Sequence, residues 1–173
     1  MNRYADIDAL LRSSSHAFHD AVRAALTGDR EHAGAVLAGS QARHDLARAA
    51  EETLRERTWV PAPQLARELQ LISGIVRVAT VTDRLAAQVV MNPEPPGPWL
   101  ALELTVLLDT GDRRFRQLLD TGSTATLDPS SRGCAARLFE VADHSVGDAS
   151  PTAALCGVLA TALLQVSRQA AAA

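Results

Sequence analysis

A chain of 173 residues with 47% apolar side chains is long enough to bury one substantial core or two small ones. Its formal charge of −3 comes from 20 acids against 17 bases, and those bases are all arginine, scattered among the acids with no basic stripe. That distribution excludes nucleic acid as an expected partner.

The opening residues, Met1-Asn2-Arg3-Tyr4-Ala5-Asp6, lack the apolar run of a secretory leader. The most apolar stretch, Pro151 to Val166, is about 16 residues, short of the ~20 needed to span a bilayer. Cys134 and Cys156 have no metal-site spacing and suit a reducing compartment. The chain is therefore expected to be cytoplasmic and peripheral to a membrane at most. Abundant alanine, scarce glycine and short β-branched runs point to an all-α fold.

The first helix is expected from about Tyr4 to Leu26, with Ile7, Leu11, Phe18, Val22 and Ala25 on one face. Thr27-Gly28-Asp29 stops it, and Asp29 caps the next. A second helix, about Arg30 to Arg57, turns Ala33, Leu37, Leu46 or Ala47, Ala50 and Leu54 inward, and the same seam carries Ser40 and His44. A joint at Trp59-Val60-Pro61-Ala62-Pro63 leads into the longest helix, Ala62 to Met91, with Pro63 in its opening turn. Leu65, Leu69, Ile72, Val76, Ala79, Ala86 and Val90 form a narrow seam there, and Leu71, Ile75, Val78, Leu85 and Val89 run beside it.

One charge, Asp83, interrupts that seam. No base stands three or four residues away on its own helix, so it requires a partner from another helix, a bound ion, or a proton of its own.

Four prolines in the seven positions 92–98 rule out helix and mark a boundary between a first half, 1–91, and a second half, 99–173. In the second half a helix from Trp99 to Asp109 is followed by Thr110-Gly111-Asp112-Arg113, which repeats Thr27-Gly28-Asp29-Arg30 at an offset of 83 and suggests an internal duplication. A short helix then reaches about Asp120, an irregular loop covers Thr121 to Leu127, and Asp128-Pro129 opens a helix to about Ser145. Ser150-Pro151 opens the last helix, and Gln169 to Ala173 fray.

This pattern resembles the PhoU family of phosphate-signalling regulators, built from two tandem three-helix up-down repeats. The resemblance is carried by Ala25-Leu26-Thr27-Gly28-Asp29, Ala33 and Val36-Leu37, then Glu68-Leu69-Gln70, Arg77-Val78-Ala79 and Thr82-Asp83-Arg84-Leu85-Ala86-Ala87. It covers Ile7 to Val90 well and the shorter, more broken second half only loosely. It implies a role in restraining phosphate uptake signalling by binding a phosphate transporter and its sensor kinase, with self-association as a homodimer.

The family holds multinuclear metal sites on paired acids of this helix, a spacing that projects two carboxylates from one side. Here Asp83 keeps the first acid and Ala87 replaces the second, while Leu164 and Arg168 stand at the matching positions of the second half. The acids of the second helix fall at Ser40 and His44. No metal and no cofactor are therefore expected, and a buried hydrogen bond from His44 to Asp83 is the expected link between the two helices. Ser40, His44 and Asp83 remain the residual metal candidates.

Other sets carry less. His16 and His19 sit one turn apart, as two metal ligands can, and also as two surface histidines do. Glu51 to Arg57 forms a self-paired charged face. Arg113-Arg114-Phe115-Arg116 is basic enough to receive a phosphate, but it lies beside Asp109, Asp112 and Asp120. No nucleophile elbow, phosphate loop or Cys–His pair emerges, so no enzyme is expected. Two further readings stand beside the regulator: a small-molecule-binding bundle opened by the broken second half, and a mononuclear metal protein using His16, His19, His44 and Asp83.

Overall fold

The structure, a computed structural model, describes residues 5–56, 61–121, 137 and 149–171. Among them every regular element is an α-helix: α1 (Ala5–Thr27), α2 (Arg30–Ala38), α3 (Ser40–Arg55), α4 (Ala62–Met91), α5 (Pro98–Thr121) and α6 (Ala149–Ala171). The protein is thus all-α. Expectations for 57–60, for the loop after Thr121 and for a helix from Asp128 to Ser145 fall on positions outside the described residues, Arg137 apart.

α1, α4, α5 and α6 pack as a ring: α1 on α4, α4 on α6, α6 on α5, and α5 on α1. α2 and α3 lie along the α1–α4 side and touch both. One apolar cluster runs through all of them, from Ile7 to Val166, so the helices on either side of the joint at 92–97 share a core. Three contacts set the directions in the first half. Thr53 donates to Asp6 at 2.9 Å, Ser40 meets Asp83, and the Gly28 turn lies under Pro93. α1 and α4 therefore run the same way, with the α2–α3 rod reversed beside them.

The α1–α2 turn follows from its letters. Gly28 takes φ +67°, which costs a residue without a Cβ little, and the Asp29 amide reaches back to the Ala24 carbonyl at 3.0 Å. The Asp29 carboxylate then caps α2 by accepting from the Glu31 and His32 amides, both at 3.0 Å.

Three expectations need correction. The second helix is not continuous: it breaks at Gly39 into α2 and α3. The helix expected to stop at Asp109 runs on through Thr110-Gly111-Asp112-Arg113 to Thr121. Gly111 is there to admit the Phe18 ring, since a Cβ on it would lie 2.2 Å from Phe18 Cε1 and Cζ. Phe18 in turn packs on Phe115, ring centroids 5.7 Å apart. The two identical tetrapeptides therefore do different jobs, one a turn and the other a helix interior. Third, α6 continues to Ala171 where fraying was expected.

On α4 the ends fall where the sequence put them. The row Leu71, Ile75, Val78, Leu85 and Val89 is buried throughout, whereas the other row is buried at Ile72, Ala79 and Ala86 and only half-buried at Leu65, Leu69, Val76 and Val90. That places Asp83 on the flank facing the α2–α3 joint.

Candidate functional site at the α2–α3 joint

Asp83 has its partners, and they come from the neighbouring rod. Ser40 Oγ donates to Asp83 Oδ2 at 2.6 Å, and Arg43 Nη2 donates to Asp83 Oδ1. The same Arg43 nitrogen donates to the Val36 carbonyl at 2.7 Å. Arg43 is only 5% exposed and the Asp83 side chain 14%, so the pair is largely withdrawn from water.

The break at Gly39 makes this possible. A carbonyl in the last turn of a helix has lost part of its intrahelical bonding, and Val36 is such a carbonyl. Arg43, one turn into α3, folds back to supply it. Gly39 leaves room, because a Cβ there would lie 2.9 Å from Arg43 Nη1. The guanidinium is thus held by a carboxylate on α4 and a carbonyl on α2 while rooted in α3, and it ties three elements at one point.

His44 does not join them. It is exposed, and its Nδ1 lies 2.9 Å from the Ser40 carbonyl on its own helix. The expected His44–Asp83 bond is therefore replaced by Arg43–Asp83. One residue along a helix turns the side chain by about 100°, and Arg43, not His44, points at α4.

The remaining expected positions are dispersed. His16 is exposed, and His19 lies 2.9 Å from Asp112 Oδ2, tying α1 to α5 half-way along the bundle. Arg113 pairs with Asp109 one turn earlier, and Arg55 with Glu51 at 2.9 Å, as helix-surface pairs do. Arg114 is buried and donates to Gln117 Oε1 at 3.1 Å, so the basic tetrapeptide is not one surface. Arg137 reaches Glu103 on α5 at 2.6 Å, an ion pair that sequence reasoning missed for want of any helical spacing between its members.

The donor set around Asp83 does not fit a cation cluster. Both of its oxygens accept from protein donors, Ala87 stands one turn on, and the charge nearest to it is already positive. Among the described residues no three His, Cys, Asp or Glu side chains gather closely enough to hold a metal ion. Chemically the joint can hold helices in register, with both Asp83 oxygens taken by protein donors.

No described helix is long and apolar enough to cross a membrane. Comparison with protein-family models, with curated proteins and with solved structures finds no match.

Proposed function

We propose that the protein works by contact, as a PhoU-like regulator of phosphate uptake that docks on a phosphate transporter and its sensor kinase from the cytoplasmic side. In this reading the Arg43 guanidinium does the work that a bound cation does in metal-holding members of the family the chain resembles. It neutralises the acid on the long helix and fixes that helix against its neighbour.

The supporting observation is the Asp83 carboxylate, which sits at the motif position of the resemblance and accepts from Arg43 and Ser40 instead of facing an open coordination site. A buried acid with one guanidinium partner and a hydroxyl donor is electrically satisfied without metal. Long helical faces on a rigid bundle then offer surfaces for partner helices.

Two measurements test this. Elemental analysis of protein purified without chelator is expected to show no stoichiometric metal, and a bound transition metal would overturn the metal-free part. Deleting the gene is expected to release phosphate-starvation genes in phosphate-replete medium. Unchanged expression there would remove the phosphate role and leave a contact protein of another pathway.

A further inference from the structure

α4 and α5 stand at opposite corners of the ring, since each packs on α1 and on α6. The joint between them, Asn92 to Gly97, therefore has to cross the end of the bundle, and it does so over the α1–α2 turn. A β-carbon on Gly28 would run into the Pro93 carbonyl oxygen and press on Pro95 Cδ at 3.2 Å. The inner side of this strap is thus seated on bare backbone.

Its conformation follows from proline chemistry. Pro93, Pro95 and Pro96 hold φ at about −65° and have no N–H to donate. Asn92, Glu94, Pro95 and Gly97 each precede a proline, which keeps them out of the helical region. The strap accordingly runs from Asn92 to Gly97 without a helix, turn or bend. Such a segment is polyproline II in kind: extended, about three residues per turn and without hydrogen bonds of its own. Pro93 and Pro96, and again Pro95 and Pro98, recur at that period. Pro93, Glu94, Pro95, Gly97 and Pro98 are exposed, and Pro96 is half-buried.

The flanks of the strap are apolar and open to water. Met91, where α4 ends, is 68% exposed, and Trp99, where α5 begins, is 79% exposed. Large apolar side chains left open at one end of a bundle mark an interaction surface.

We propose that the strap is a docking segment for a partner protein that reads polyproline II in an aromatic-lined groove, with the Trp99 indole packed beside that groove. Pyrrolidine rings recurring along one edge of the segment fit slots between aromatic rings. The prolines and the Gly28 seat already fix the strap, so little conformational entropy is lost on binding. Glu94 is the one charge between Asn92 and Pro98, so the complementary rim of the groove is basic. A second copy of the chain does not supply the groove: aromatic residues are 3% of the sequence, and Phe18 and Phe115 are buried. The proposal stands apart from the phosphate reading.

Titration calorimetry of the full-length chain against a panel of purified Src-homology-3 and WW domains is the test. At least one domain is expected to bind, and Pro95→Ala with Pro96→Ala to weaken that binding by about tenfold or more while helical circular dichroism is unchanged. Trp99→Ala reads the same surface without touching the prolines and is expected to weaken it by a smaller factor. Wild type bound by no domain of the panel would overturn the proposal, as would binding indifferent to the proline substitutions or to Trp99→Ala. Sedimentation with phosphatidylglycerol vesicles that is lost in Trp99→Ala, while no domain binds, would overturn it in favour of a lipid surface.

Discussion

The guanidinium of Arg43 bridges the Asp83 carboxylate on α4 and the Val36 carbonyl on α2, and through it the kinked α2–α3 rod is fixed to the longest helix. Removing one member of a largely buried pair leaves the other charged and unsolvated, which costs about 3 kcal/mol or more. Asp83→Ala is therefore expected to lower unfolding stability by about that much. Replacing both by apolar residues of similar volume, Arg43→Met with Asp83→Leu, is expected to recover most of the loss, because no uncompensated charge remains. Urea unfolding of the two singles and the double checks this. Losses that simply add would mean that the two side chains act independently.

Three glycines, two inside helices and one at the α2–α3 joint, should respond differently to alanine. Gly34 in α2 has nothing within 4 Å of the place a β-carbon would take, so Gly34→Ala gains helix propensity and is expected to stabilise by about 0.5–1 kcal/mol. Gly111→Ala drives a methyl into the fully buried Phe18 ring and is expected to destabilise by about 1–3 kcal/mol, with Phe18→Leu restoring part of it. Gly39→Ala should fall between, since the propensity gain is offset by displacement of the pinned Arg43. Thermal unfolding of the three variants orders them, and a stabilised Gly111→Ala would show that Phe18 does not occupy that notch.

How far the sequence carries the fold is visible in these same residues. The ends of α4 were legible because proline chemistry punctuates both: Pro63 in its first turn and the run beginning at Pro93 beyond its last. The need of Asp83 for a cross-helix partner was legible too, from the absence of any base one turn away. Its identity was not. The buried residues Ala33, Val36, Arg43, Ala47, Ala50 and Leu54 keep one three-and-four spacing across Gly39, with Ser40 in the same row. The row through Leu37 and His44 lies one position to the side of it, and the sequence favours that row because a long arginine does not read as an inward residue. Gly111 misled for a different reason. A glycine that ends a helix and one that admits a ring from a neighbouring helix are the same letter, and only the position of Phe18 separates them.

The two Gly-Asp pairs offer a direct contrast. If Asp112 opened a helix, as Asp29 does, its loss would uncap one. Within the continuous α5 its carboxylate only meets His19, a half-exposed contact worth about 1 kcal/mol or less. Asp112→Ala is expected to change stability within that amount and to leave the α5 amides as protected from hydrogen exchange as in wild type. Fast exchange from Arg113 onward would instead indicate a helix start at that point.

Asp29 carries the clearest pH signature. The His32 amide chiefly, then the His32 side chain and the Glu31 amide, hold its carboxyl below the ordinary value of 3.8. A carboxyl with a depressed folded-state pKa contributes stability that is present above its unfolded value and lost as pH falls through the folded one. The deficit of Asp29→Ala relative to wild type should therefore stay constant on descending from neutrality to the ordinary carboxylate range, then shrink on further acidification. Asp29→Asn keeps an acceptor for the α2 amides without a titrating charge. Its deficit should be smaller than that of the alanine variant near neutrality, and it should likewise diminish in acid as the wild-type carboxylate is protonated. Because other carboxylates titrate together in all three proteins, the differences between their unfolding curves isolate this cap. A deficit for Asp29→Ala that holds unchanged through the acid limb would mean that the carboxylate is not held by the α2 amides.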